Sequence, residues 1–415
     1  MRIDEIETPA LVLDAAKMDR NIARMRAHLA ALGVGFRPHV KTSKAIDVVR
    51  RTVGKTGGTA DGNRGETGGA ITVSTLKEAE YFLGHGISDM LYAVAITPNK
   101  LDHALRLMRA GAQLKLILDS EEAARAVVAK GTQSDARFEV LIEIDCDGHR
   151  SGVKPDATEL ITIGRLLHEG GMGLAGVMTH AGSSYNCTSV EAIRAMAEQE
   201  RSLAVHSAQR LRAAGLPCPM VSVGSSPTAT YARDLTGVTE VRAGVFVFFD
   251  LVMAGIDVCA QDDIALSVLT TVIGHQRDRG WIITDAGWMA MSRDRGTAQQ
   301  RVDQGYGLVC DVQGRPIEGL IMAQANQEHG VIAHRSGNPA QTPDLPVGTL
   351  LRILPNHACA TGAQHDRYHV INDTSNATEN ETTNDIANGS AANSTNGTAA
   401  DGAAVSAVWP RFSGW

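Results

Sequence analysis

The sequence is short of aromatic residues, of surplus positive charge, of long apolar runs and of paired cysteines, and each shortage narrows what the protein can be. Aromatic residues make up 4% of the chain while glycine reaches 42 residues, a balance that suggests many tight turns between short elements. A formal charge of −7 argues against a nucleic-acid partner, because phosphate binding asks for concentrated basic surface. No apolar stretch approaches the roughly 18 residues that read as a membrane span. Met1-Arg2-Ile3-Asp4-Glu5 lacks the basic start and apolar stretch of a secretory signal, so a cytoplasmic location is expected. The cysteines Cys146, Cys187, Cys218, Cys259, Cys310 and Cys359 form no CxxC pair and read as reduced thiols, with Cys359 set apart by its neighbours.

What is present is chain enough for two domains: 415 residues, 43% of them apolar and 20% charged. From 10 to 255 apolar, strand-like runs (10–14, 71–74, 90–94, 114–118, 140–144, 174–179, 220–223, 240–248) alternate with helical stretches (76–83, 100–109, 121–129, 157–170, 191–214). That repetition predicts an α/β fold, a parallel (β/α)8 barrel of the TIM type, with chemistry just after the strand C-termini. From 256 to 415 the strand-like runs 266–274, 280–285, 307–311 and 350–354 lack long helical partners and predict a mostly-β C-terminal domain, joined by residues 1–9. Segments 54–70 and 372–404 are polar and read as inserted surface loops, the second largely disordered; Trp409 and Phe412 beyond it suggest that the chain returns to pack its end.

Five clusters carry chemistry. Arg37-Pro38-His39-Val40-Lys41-Thr42 places Lys41 near the end of an early barrel strand, where partial desolvation could turn its amine into a nucleophile; a surface lysine would look the same. Arg150, in the loop after 140–144, could hold a phenolate or carboxylate, or close a loop salt bridge. After 174–179, His180 offers an imidazole that can stack on a flat ring and Tyr185 a phenol within reach of one, although a structural histidine is equally compatible. Gly224, Ser225 and Ser226 suit a phosphate cradle in a barrel, or an ordinary turn, and Arg242 could support the same ring or phosphate. His357 and Cys359 form a His-x-Cys pair that two-residue alternation would set on one side of an extended segment, good ligands for Zn²⁺ but short of a complete site.

Longer stretches make these clusters specific: RPHVKTSK at 37–44, ITVSTLKEAE at 71–80, DGHRSGV at 147–153, THAGSSY at 179–185, DAGWMAMSRDRGT at 285–297, ANQEHG at 325–330 and LPNHACATGAQ at 354–364. Together they resemble the fold-type III pyridoxal 5′-phosphate (PLP) family of D-serine dehydratases and D-threonine aldolases, over nearly the whole chain except the two inserts. The resemblance implies an alanine-racemase-type barrel with a β domain, a homodimer, PLP and a divalent metal, Zn²⁺ or Mn²⁺. It implies that Lys41 is the Schiff-base lysine, that Arg150 lies near the phenolic oxygen of PLP and Tyr185 near the pyridine nitrogen, that Gly224, Ser225 and Ser226 form the phosphate loop, and that His357 and Cys359 hold the metal. Ser226 stands where threonine is common in the family, with the hydroxyl kept. The His-x-Cys pair resembles the family's dehydratases, the aldolases carrying His-x-Asp. The activity implied is elimination from a D-configured 3-hydroxy amino acid, foremost D-threo-3-hydroxyaspartate to oxaloacetate and ammonia, with Lys41 removing the α-proton and the metal assisting the departing hydroxide. D-Serine dehydration and retro-aldol cleavage of 3-hydroxyaspartate or D-threonine stay open, since the same ligands could serve them. A racemase would need a second base opposite Lys41, and a non-catalytic PLP carrier would need no β domain.

Overall fold

Hydroxyl residues mark where helices begin in this protein. Thr75, Ser120 and Ser189 sit in extended conformation and accept hydrogen bonds from the backbone N–H groups of Glu78, Ala123 and Ala192, which gives Leu76–Gly84, Glu121–Ser134 and Val190–Ala213 their starts. Between such helices lie short apolar strands buried along nearly their whole length, as Gly173–Thr179 and Glu139–Ile144 show, the signature of a parallel sheet covered on both faces. The computed structural model describes residues 1–54, 69–373 and 403–415. The segments 54–70 and 372–404, expected as loops, lie almost wholly outside the described residues.

The chain forms two compact units. One comprises Asn21–Val247, Ile256–Val258 and Arg411–Trp415. Its eight strands run in the order Gly35–Phe36, Glu240–Val241, Met220–Val223, Gly173–Thr179, Glu139–Ile144, Gln113–Leu118, Asp89–Ala95, Ile71–Val73, every neighbouring pair parallel. A parallel bridge from His39 to Thr72 brings the first strand's chain against the last, curling the sheet into a barrel. Leu91, Ile117, Leu141, Ala175 and Met178, from four adjacent strands, pack as one cluster. The expected strand 240–248 is pairing-competent only at Glu240–Val241; its continuation winds into a short 3-10 turn, Val245–Val247. Phe412 returns to this unit, stacking on Tyr81 with ring centroids 5.1 Å apart and donating its N–H to the Lys44 carbonyl at 2.7 Å.

Arg37 is buried in this barrel and forks onto Glu240 (2.9 Å) and Asp89 (2.9 Å). Removing one partner of a buried ion pair strands the other, so Arg37→Met is expected to cost about 3–5 kcal/mol. The check is a fall in the urea midpoint with an unchanged slope.

The other unit, Met1–Arg20, Phe248–Gly255 and Cys259–Pro410, is built on a nine-stranded sheet. Trp281–Thr284, Gly330–His334, Pro316–Ala325, Gly307–Cys310, Leu350–Pro355 and Leu266–Gln276 follow one another, and the last pairs back to the first, closing an antiparallel ring. Each of the six contributes one residue to a single core cluster: Ile282, Ile332, Leu320, Val309, Leu351 and Val272. Ala10–Asp14, expected to open the barrel, belongs here instead, antiparallel to Leu266–Gln276 and parallel to Arg367–Ile371. All five of its residues are buried, so its apolar run reads alike in either sheet and only pairing assigns it. Pro316–Ala325 escaped the sequence reading because a bulge between Met322 and Gln324 interrupts its alternation, and Gly330–His334 because its first three residues are all buried and show none.

Candidate active site

Parallel strands deliver their C-terminal ends to one rim, and five of them carry the residues singled out above. Lys41 follows Gly35–Phe36, Arg150 follows Glu139–Ile144, His180 and Tyr185 follow Gly173–Thr179, Gly224 to Ser226 follow Met220–Val223, and Arg242 follows Glu240–Val241. The Lys41 loop is fixed on both sides: His39 donates its N–H to the Ala243 carbonyl (2.8 Å) and Val40 to that of Thr72 (2.9 Å). Lys41 then projects from a tight turn closed by the Lys44 N–H on the Val40 carbonyl (2.9 Å). Its side chain is exposed, not partly desolvated as the sequence suggested, because the apolar neighbours Val40 and Ala45 turn inward while Lys41 turns out.

Cations converge on this rim. Burial holds the His39 imidazole far below its ordinary range, and Lys41, Arg242, His180 and Arg150 all push it the same way. Burial likewise lowers His180 to about 3, so the ring is neutral. Its Nδ1 meets the Gly224 carbonyl at 2.9 Å, which makes Nδ1 the protonated nitrogen. Tyr185 lies in the 3-10 turn Gly182–Asn186, its ring centroid 6.2 Å from that of His180. Arg242 is buried and donates to Ser222 Oγ (2.9 Å) and to the Thr179 carbonyl. Arg150 is half exposed, its nearest carboxylate Glu143 at 3.9 Å.

Beside them the chain turns sharply at Gly224, where φ is +134° and a Cβ would sit 2.1 Å from the Arg242 carbonyl oxygen, so no other residue fits. Ser225 Oγ accepts the Thr228 N–H (3.2 Å) and meets Ser184 Oγ (2.8 Å), while Ser226 Oγ accepts the Phe246 N–H (3.1 Å) and keeps its own proton to give. A cationic rim in a protein of net charge −7, with a free primary amine, a neutral imidazole and a hydroxyl-lined glycine turn, fits PLP: phosphate, phenolate and aldehyde each meet a suitable group.

In the other unit, Leu350–Pro355 ends at His357, which is the N-cap of the short helix Ala358–Gly362. Cys359 lies in the first turn of that helix, so a helical turn brings the pair together and not the strand alternation expected. His357 Nδ1 is 2.7 Å from Asp294 Oδ2, and Cys359 hydrogen-bonds to the same imidazole. Burial opposes the imidazolium, but Asp294 and Cys359 outweigh it and raise His357 to about 11. Among the described residues no three of His, Cys, Asp and Glu group as a metal cage. The donor set still fits a divalent metal: a carboxylate on Nδ1 orients the ring and leaves Nε2 to coordinate, with a thiol on the same imidazole and further positions for water or substrate. Beneath the pair, Asp250 accepts the Ala358 and Met253 N–H groups (both 3.0 Å), and burial raises it to about 6.

Three acids here were not singled out in the sequence. Asp294 lay within the 285–297 stretch, whereas Asp250 and Glu200 carried no motif and are recognisable only by burial and partners. Glu200, from Val190–Ala213, accepts the Ala181 N–H (2.9 Å) and the Gly224 N–H (3.0 Å), and burial pushes its carboxyl up.

Thiol chemistry offers a direct check on the metal pair. Burial pushes Cys146 and Cys310 up to about 12 and Cys218 to about 11, so these thiols stay protonated and inert. Iodoacetamide at about pH 8 is expected to label only Cys187, Cys259 and Cys359 of the native chain, and added Zn²⁺ to protect Cys359 alone, as peptide mapping would show.

The family model "Alanine racemase, N-terminal domain" matches residues 13–252, and "Putative serine dehydratase domain" matches 265–371. A D-threo-3-hydroxyaspartate dehydratase of Delftia sp. (strain HT23) is 58% identical over 373 residues, 88% of this chain and 94% of that one. A D-serine dehydratase of Dictyostelium discoideum is 30% identical over 388 residues, covering 89% and 95%. Among solved structures, a cysteine-to-alanine variant of a D-threo-3-hydroxyaspartate dehydratase in the metal-free form superposes with a TM-score of 0.86 at 53% identity, covering 100% of both chains.

Proposed function

Since the chain belongs to the family that joins an alanine racemase N-terminal domain to a serine dehydratase domain, we propose that it is a PLP- and divalent-metal-dependent ammonia-lyase that converts D-threo-3-hydroxyaspartate to oxaloacetate and ammonia. The observation that carries the reading is the His357 imidazole turned by Asp294 with Cys359 on the same ring, a metal-ligand pair that plain PLP proton exchange would not need.

PLP supplies an electron sink for the α-carbon, and the metal a Lewis acid for the leaving hydroxyl. The chain's own groups do the rest. Lys41 carries the cofactor and, once its amine is free, takes the α-proton as general base. His180, neutral because it is buried, would offer its face to the pyridine ring without adding a charge. Arg150 would hold the phenolic oxygen, Tyr185 would meet the pyridine nitrogen, and Ser226 would give its hydroxyl proton to the phosphate. Arg242 gives its Nε–H to Ser222 and its Nη2–H to Thr179, and its charge would support the ring or phosphate. His357 and Cys359 would hold the metal, and Asp294 would set the ring that does so.

A homodimer and a cytoplasmic location belong to the same proposal; light scattering tests the first, and the buried, unpaired Cys146, Cys218 and Cys310 are in keeping with a reducing compartment. Among the described residues no helix is long and apolar enough to cross a membrane. The deciding assay incubates the metal- and PLP-loaded protein with D-threo-3-hydroxyaspartate, D-serine and D-threonine. Oxaloacetate and ammonia from the first substrate are expected; glycine and an aldehyde in their place would overturn the dehydratase reading.

A further inference from the structure

Glu200 is a carboxylate on an outer helix of the barrel, yet it is 2% exposed and none of its hydrogen bonds serves that helix. Its Oε1 takes the N–H groups of Ala181 and Gly224, the residues that follow two neighbouring strands. Its Oε2 takes the hydroxyl proton of Thr228 at 2.7 Å. A carboxylate accepts only, so the direction of every bond beyond it is set. Thr228 Oγ1, its proton given to Glu200, must accept, and it takes the Ser225 N–H at 3.1 Å. Ser184 gives its proton to the Ala181 carbonyl (2.7 Å) and Thr228 its own to Glu200, so the single Ser225 hydroxyl proton is the one shared between Ser184 Oγ (2.8 Å) and Thr228 Oγ1 (3.0 Å). Ser225 Oγ, in turn, accepts from the Thr228 N–H. Ser225 and Thr228 thus spend their hydroxyl protons on Ser184, on each other and on Glu200, with one carboxylate at the root of the turn and the Ser226 hydroxyl proton left over.

Resting on the PLP reading, we infer that Glu200 is the positioning residue of the phosphate loop: it holds the Gly224–Thr228 turn in the arrangement that leaves the buried Ser226 hydroxyl its proton to give, without touching the cofactor itself. Buried networks anchored by a charge are all-or-nothing, since a lost acceptor leaves several donors stranded. The group disturbed when the anchor is lost is then the phosphate end of the cofactor, not its ring.

The test compares PLP with pyridoxal, which lacks the phosphate, by fluorescence titration of apoprotein. Glu200→Gln keeps one acceptor oxygen and loses the charge. It is expected to weaken PLP about ten- to a hundredfold, as loss of a charge-assisted bond transmits, and pyridoxal less than about threefold. Thr228→Val, which cuts the link between Glu200 and Ser225 at nearly constant volume, should show the same selective loss, and Thr228→Ser should restore the wild-type ratio. Should Glu200→Gln fail to fold, the Thr228 pair decides. Equal weakening of PLP and pyridoxal, or an unchanged ratio in Thr228→Val, overturns the inference and leaves Glu200 as a packing group. Wild-type protein that binds neither compound would sink the PLP reading, and this inference with it.

Discussion

Lys41→Ala is expected to lower kcat on D-threo-3-hydroxyaspartate by about 10²- to 10⁴-fold, the range that a positioned general base supplies. A second consequence separates this residue from any other on the rim. Borohydride treatment of the loaded wild type should add one cofactor mass to the peptide containing Lys41, and the variant should gain none. The exposure of Lys41 makes the result clean, because no packing is lost when the side chain is shortened. Retention of full turnover by the variant would remove the lysine from the chemistry and, with it, the central step of the proposed reaction.

The metal pair should give the next largest effect. His357→Ala and Cys359→Ala each remove one of two protein ligands, and the loss of a Lewis acid worth several kcal/mol corresponds to roughly 10²- to 10³-fold or more in kcat. Chelation of the wild type should reach the same floor, and added Zn²⁺ or Mn²⁺ should restore the wild type but not the variants at equal concentration. Asp294→Asn is the graded case. It keeps an oxygen near His357 Nδ1 but loses the charge that now sits 2.7 Å away, so metal affinity should fall about 10- to 100-fold, with activity recovered at higher metal. Metal content after gel filtration checks all three. An Asp294→Asn protein that binds metal as tightly as wild type would show that the carboxylate does not orient the imidazole.

The sequence by itself determined a good deal. Regular alternation of short apolar runs with amphipathic helices is a local property, and it was enough to read a barrel and to place Lys41, Arg150, His180 and Gly224 after its strands. The His-x-Cys spacing, too, is local. Tertiary structure decided what depends on partners far along the chain. Ala10–Asp14 is apolar on both faces, and nothing in five residues says which sheet will cover them. His357 and Cys359 meet through a helix cap and not through a pleat, because Asp250 holds the Ala358 N–H. Lys41 faces outward while its neighbours Val40 and Ala45 are buried. Glu200 and Asp250 look like any surface acid in a string of letters; burial and the donors gathered round them, all but the Met253 N–H drawn from 19 to 108 residues away in sequence, make them parts of a site. Periodicity is written residue by residue, whereas the electrostatic surroundings of a group exist only once the chain has closed on itself.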